Sequence, residues 1–141
     1  MRVLVCGGRN YGLSETERMH VLSVLEQFAI DNSECYNPND NWLPSDIEII
    51  SGMAKGVDTV AVDWAIVNWC KFIGFPAEWD KYGKAAGFIR NKQMLREGNP
   101  DIVIAFPGGK GTENMKAQAR LAGIQVMEIP SLRSGEPPLK A

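Results

Sequence analysis

Three times along this chain a short apolar run stops at a glycine turn that carries a cation. Residues 3–6 run into Gly7-Gly8-Arg9, residues 47–50 into Ser51-Gly52-Met53-Ala54-Lys55-Gly56, and residues 101–106 into Pro107-Gly108-Gly109-Lys110-Gly111-Thr112. A run that is apolar at successive positions suits a strand buried on both faces, as in a parallel sheet covered by helices. In such a sheet every strand-to-helix turn falls on the carboxyl edge, where ligands bind. The pattern therefore constrains the fold and the place of the site together.

The intervening segments supply the helices. Ser14 and Glu17 have capping-box spacing, and Val21, Leu22, Leu25, Phe28 and Ala29 follow on one helical face. Residues 31–45, rich in Asn, Asp and Pro, read as a long surface loop. A second helix is expected from 57 to about 70, with Val57, Ala61, Trp64 and Ala65 on one side, then a short strand over 72–75 closed by Pro76. A third helix spans 86–97 and stops at Gly98 and Pro100, a fourth spans 112–122 and ends at Gly123, and the last strand covers 124–129. The expected fold is α/β: a single Rossmann-like domain over 1–130, with about five parallel strands, helices on both faces and an insertion at 31–45. Residues 131–141, containing Gly135-Glu136-Pro137-Pro138, read as a surface or frayed tail.

Composition narrows the function. At 141 residues, 45% hydrophobic and 23% charged, the chain has the makeup of one globular domain, and not of a collagen, a coiled coil or a disordered segment. Fifteen Lys and Arg against 17 Asp and Glu give a net charge of −2, which disfavours a protein wrapped around duplex DNA but leaves room for a local basic patch. Cys6, Cys35 and Cys70 are odd in number and irregular in spacing, which fits neither a disulfide framework nor a zinc site. With the single histidine His20 far in sequence from every glycine turn, metal chemistry and a Ser-His-Asp triad are disfavoured, so no metal and no cofactor are expected. A signal peptide and an apolar stretch of membrane-spanning length are both lacking, so the expected location is the cytoplasm.

Glycine lets backbone approach a ligand closely, and the free N–H groups and dipole of the following helix favour an anion, most often phosphate. One such turn is ordinary turn chemistry; three at one sheet edge, carrying Arg9, Lys55 and Lys110, point to a phosphate-bearing ligand. None is a Walker loop, because residues 108–112 lack its four-residue gap and Gly-Lys-Thr order, and the first turn lacks the third glycine of a dinucleotide fingerprint.

Four ordered motifs carry a resemblance: Val-Cys-Gly-Gly-Arg-Asn-Tyr (5–11), Ser-Gly-Met-Ala-Lys-Gly-Val-Asp (51–58), Tyr-Gly-Lys-Ala-Ala-Gly-Phe-Ile-Arg-Asn-Lys-Gln-Met (82–94) and Ile-Ala-Phe-Pro-Gly-Gly-Lys-Gly-Thr (104–112). Together they make the chain similar to the SLOG superfamily of Rossmann-like domains, most closely its branch related to the YpsA protein. The resemblance implies a nucleotide-type ligand across the carboxyl edge and a homodimer. Two relatives pull in different directions. Lonely Guy phosphoribohydrolases share the Pro-Gly-Gly-x-Gly-Thr turn and cleave nucleoside monophosphates, but the position of their catalytic glutamate is Met115 here. The nearest carboxylate, Glu113, lies two residues earlier and about 200° around a helix. DprA-like proteins carry a similar Ser-Gly-x-Ala-x-Gly-x-Asp turn and an Arg-Asn pair, matched by residues 51–58 and Arg90-Asn91, and bind single-stranded DNA.

The expected function is binding of a nucleotide or nucleotide-derived ligand, as a sensor or sequestering protein. The alternatives are an N-glycosidase acting on nucleoside monophosphates and a single-stranded DNA module. Ligand contacts are expected from Gly7, Gly8, Arg9, Ser51, Gly52, Lys55, Gly56, Asp58, Arg90, Asn91, Pro107, Gly108, Gly109, Lys110, Gly111 and Thr112. The candidates for any catalytic role are Asp58, Glu113 and Arg90. Asp58 reads either as a first-turn or capping carboxylate or as the acceptor for a ribose hydroxyl, and Thr112 as the cap of the helix it opens. Arg9, Lys55, Arg90 and Lys110 read as solvated charges or phosphate contacts, with phosphate favoured for Arg90 and Lys110. Trp79 and Tyr82 serve either base stacking or packing, Trp64 and Trp69 core or interface, and Cys6 inert packing.

Overall fold

In a computed structural model, which describes residues 1–132, strand β1 (Arg2–Cys6) lies at the centre of a five-stranded parallel sheet. β2 (Glu48–Ser51) and β3 (Lys71–Gly74) extend it on one side, β4 (Ile102–Ala105) and β5 (Gln125–Glu128) on the other, in the order β3-β2-β1-β4-β5. Side chains alternate across the sheet, so the apolar runs feed two cores. Val3, Val5, Ile49, Ile102 and Ile104 face α1 (Glu15–Asn32) and α2 (Val57–Val67). Leu4, Cys6, Ile50, Val103 and Ala105 face the opposite side, where Met115 and Ala119 of α5 (Lys110–Leu121) and Met94 pack. Each large aliphatic side chain so buried contributes about 1.5–3 kcal/mol. This is the expected α/β architecture, a single parallel sheet with helices on both faces.

The elements differ from expectation in instructive places. α2 ends at Val67, because Asn68 turns its amide back to the Trp64 carbonyl and Trp69 takes a left-handed conformation (φ 57°). Trp69 is therefore off the helix and 81% exposed, whereas Trp64 is core and its indole N–H donates to Glu26. The third expected helix is regular only over α4 (Ala86–Gln93) and continues as a π turn, Met94–Gly98, closed by left-handed Asn99. The last helix starts at Lys110 with Gly109 as its cap, so Thr112 sits inside the first turn and makes no capping bond.

Between β3 and α4 stands a helix without a sequence signal, α3 (Trp79–Tyr82), joined to α4 by a 3-10 turn over Gly83–Ala85. Four residues are too few for any periodicity to be read. The long loop is pinned: Asp46 accepts from the Ser33 hydroxyl (2.5 Å) and the Glu34 N–H (2.9 Å), and the Tyr36 hydroxyl donates to Glu26 on α1. Of the tail expected from 131 onward, all beyond Leu132 lies outside the described residues. Among the described residues no helix is long and apolar enough to cross a membrane.

Candidate functional site

β1 and β4 are neighbours, yet the chain leaves them toward opposite faces of the sheet, into α1 and α5. A crevice must open between their carboxyl ends, and in open α/β sheets that crevice is the ligand site. Here the glycine turns pack on one another to form its floor. The Gly8 N–H donates to the Pro107 carbonyl at 2.8 Å. A Cβ on Gly108 would lie 2.8 Å from the Gly8 nitrogen and 2.1 Å from Thr112 Oγ1. On the other flank Gly56, at φ 79°, lies against the carbonyls of Gly8, Arg9 and Tyr11, which a Cβ would meet at 2.5–2.7 Å. These glycines are required by contact between turns. Gly109 and Gly111 are different: a Cβ at either would meet nothing within 4 Å, so no part of the described chain demands glycine there.

Above this floor is a cavity of about 710 Å³, a volume suited to a small-molecule ligand. Arg9, Lys84, Arg90 and Lys110 line it, with Asp58 the single carboxylate among the lining residues. A chain of net charge −2 thus concentrates an excess of three positive charges in one pocket. The first turn of α5 enters the same wall without a side-chain cap, leaving its N–H groups and dipole for an anion.

Arg90 is held rather than free. Nη1 donates to the Gly52 carbonyl at 2.5 Å and to Phe75 at 3.5 Å, and Nε donates to Asn91 Oδ1 at 3.1 Å, while Nη2 makes no hydrogen bond among the described residues. A Cβ at Gly52 would sit 2.4 Å from Nη1, so a side chain there would displace the guanidinium from this seat. Asn91 is buried and ties α4 to α5 by donating to the Gly111 carbonyl (3.0 Å) and Asn114 (3.2 Å). Its role in the pocket wall is to fix the 110–112 turn.

Of the expected ligand residues, the fold brings Gly7, Gly8, Arg9, Asp58, Arg90, Asn91 and the whole stretch 107–112 to the cavity. Ser51, Gly52, Lys55 and Gly56 stand behind it or outside it: buried Ser51 receives the Met53 N–H and donates to the Asp58 carbonyl, and Lys55 is exposed away from the cavity. Glu113 is outside as well, paired with Lys116 at 2.7 Å, and Met115 is fully buried in the cavity floor. Trp79 lines the cavity; Tyr82 instead meets Lys81, whose ammonium lies 5.0 Å from its ring.

Lys84 and Phe88 also line the cavity and were not singled out by sequence, although both lie inside the 82–94 motif. His20, nine residues along the chain from Tyr11, packs against the end of the first turn. Its Nδ1 shares a 2.6 Å hydrogen bond with the Tyr11 hydroxyl, and its ring packs edge-on against Tyr11 and Phe106. Burial lowers the His20 pKa, which favours the neutral imidazole. Burial pushes the Cys6 thiol up to about 12, so it is packing at the cavity floor and not a nucleophile. Among the described residues no group of three or more His, Cys, Asp or Glu is placed to hold a metal ion.

Asp58, the one carboxylate lining the cavity, is strongly perturbed. It is 5% exposed, and burial lifts its pKa from 3.8 to about 6, against the Ala54 N–H (3.2 Å) and the Arg90 and Arg9 guanidinium groups, which pull it down. Because the folded value is the higher one, the folded state takes up the proton first. Stability therefore rises as pH falls toward 4 and declines as pH rises through about 6, by on the order of 2–3 kcal/mol. Urea midpoints at about pH 4.5 and about pH 7.5 should differ in this sense between wild type and D58N. The difference between the two proteins isolates Asp58, since neutral buried His20 bends the raw profile the other way. A wild-type-minus-D58N difference that does not move with pH would exclude the raised carboxyl.

No family model matches the chain. It is similar to the Gene 61 protein of Mycobacterium phage D29, 36% identical over 96 residues that cover 61% of this chain and 74% of the phage protein. In structure it is similar to DNA processing protein A (DprA) from Streptococcus pneumoniae, with a TM-score of 0.67 at 21% identity. The match covers 95% of this chain but 52% of the streptococcal one, so the chain spans about half the length of that neighbour. At this identity the likeness carries the Rossmann-like fold.

Proposed function

We propose that this chain, which belongs to the family of the Gene 61 protein of Mycobacterium phage D29, binds a phosphorylated, nucleotide-type small molecule at the carboxyl edge of its sheet. One observation carries the reading: four cations and an uncapped helix start converge on a single cavity that holds one carboxylate. In this reading the phosphate binds at the 108–112 turn, which lines the cavity together with Arg90, because backbone N–H groups and a guanidinium fork both match phosphate oxygens. Asp58, with one oxygen held by Ala54 and the other unengaged among the described residues, is suited to accept from a ligand hydroxyl. The sequence likeness to the YpsA-related branch supports the same ligand class. A glycosidase reading would rest on Asp58 alone, with Glu113 outside the cavity and Met115 in place of the glutamate.

A second reading, single-stranded DNA, has its own support. Trp79, Tyr82 and Phe88 are each 39–45% exposed in one segment beside Lys81 and Lys84, the mixture of rings and cations that a strand stacks on. The streptococcal neighbour is moreover a DNA processing protein.

Incubation of the purified chain with a mixed ribonucleotide pool, followed by mass spectrometry of what is retained, tests the first reading. Retention of intact nucleotide is expected. Release of free base with ribose 5-phosphate would replace the binding reading with the glycosidase one. Retention of nothing, with salt-sensitive binding to an oligo(dT), would replace it with the second.

A further inference from the structure

The Arg9 guanidinium carbon stands 4.8 Å from the centre of the Trp79 ring, so a cation lies on the one indole that lines the cavity. The two residues come from segments far apart in sequence: Arg9 from the turn after β1, Trp79 from α3, the short helix that follows the edge strand. Trp79 is braced on α4, its Cη2 lying 3.5 Å from where a Cβ on Gly87 would be, and it is 45% exposed. Arg9 is exposed, on a turn, and makes no salt bridge among the described residues. Trp79 thus has a packing neighbour besides Arg9, whereas Arg9 has no ion-pair partner to lose on leaving the indole.

We propose that the Arg9–Trp79 contact is a displaceable clasp, and that the planar base of a nucleotide takes the place of Arg9 on the indole while Arg9 turns to the phosphate. This rests on the phosphate reading above and deepens it, by requiring a ligand that carries an aromatic heterocycle as well as a phosphate. A ring cannot simply slide between the two groups, since two stacking gaps need roughly 7 Å and 4.8 Å is present. Exchange conserves the contacts: the indole swaps a cation–π partner for a stacked ring, and the released guanidinium gains a charge-assisted partner. Arg9 already feels the cavity, being among the charges that act on Asp58 and Arg90.

The test compares the four ribonucleoside 5′-monophosphates with ribose 5-phosphate, which has the phosphate and no base, by calorimetry and tryptophan emission on the full chain. In wild type at least one monophosphate should bind about tenfold or more tighter than ribose 5-phosphate and quench emission. W79A should erase that preference while leaving ribose 5-phosphate affinity within about twofold, and W79F should restore most of it. R9Q should weaken ribose 5-phosphate yet widen the gap between it and the monophosphate, because the indole face is then vacant. If W79A does not fold, W79F still decides the matter, since the quench must vanish although Trp42, Trp64 and Trp69 remain. A preference that survives W79A, a quench that survives W79F, or a gap that R9Q leaves unchanged or narrows, overturns the clasp while the phosphate reading stands. Binding of neither ligand class overturns both.

Discussion

Replacing Gly56 with alanine should cost about 3–5 kcal/mol of stability, while the same change at Gly109 should shift stability by less than about 1 kcal/mol and still weaken the ligand. The two glycines look alike in sequence, each just before a helix that follows a parallel strand. Their surroundings differ. Gly56 has φ 79°, where a Cβ is strained in any context, and that Cβ would lie 2.5–2.7 Å from three backbone carbonyls of the first turn. Backbone oxygens cannot step aside as a flexible side chain does, so the first turn must move, and with it Gly8, Arg9 and the cavity floor. Gly109 has a negative φ of −102°, outside the left-handed region, and nothing within 4 Å of a Cβ, so the methyl would project into the space assigned to the anion. Urea denaturation of both variants, with calorimetric titration of G109A, checks the pair. Phosphate-ligand affinity of G109A should fall about tenfold with the fold intact. A G109A protein as unstable as G56A, or one binding as wild type does, would mean that the 108–112 turn is plain turn chemistry.

The sheet was legible because each strand has a composition that leaves few alternatives. The stretch Val3-Leu4-Val5-Cys6 is apolar toward both faces and ends in two glycines, and Ile102-Val103-Ile104-Ala105 repeats the arrangement before Pro107. Turns after parallel strands share one edge, so the convergence of Gly8, Gly108 and Asp58 on one cavity followed from topology alone. What stayed hidden depends on distances between segments remote in sequence. Nothing local marks Gly52 as the seat of Arg90. Read locally, Gly56 and Gly109 are also equivalent, since the carbonyls that exclude a side chain at Gly56 belong to a turn some 45 residues away. α3 escaped because four residues carry no period, and with it the reason for preferring Trp79 over Tyr82 at the cavity. Lys84 and Phe88 were within a recognised motif. Their side chains acquire meaning only when α4 is laid across the carboxyl edge by the crossover from β3 to β4.

Removing Arg90 should harm the protein twice over, and the two losses can be separated. R90A withdraws the donor from the Gly52 and Phe75 carbonyls and from Asn91 Oδ1, and it takes away the cation that acts most strongly on buried Asp58. A buried acceptor without a donor and a buried carboxylate without its cation together predict a loss of about 2–4 kcal/mol near neutral pH. The Asp58 pKa should move higher still, extending the acid side on which the protein is stable. Ligand affinity should fall about 100-fold, because Nη2 is the donor left facing the cavity once Nη1 and Nε are engaged with protein groups. R90K keeps a charge but not the fork, so it should recover stability at Asp58 better than it recovers affinity. The electrostatic part is exposed by a double-mutant cycle. With Asp58 neutral in D58N, removing Arg90 should cost about 1 kcal/mol less than it does in wild type, and that difference should vanish at low pH, where Asp58 is protonated in both proteins. Strict additivity across pH would show that Arg90 stabilises only the Gly52 turn, and that the charge balance of the cavity is set by Arg9, Lys84 and Lys110.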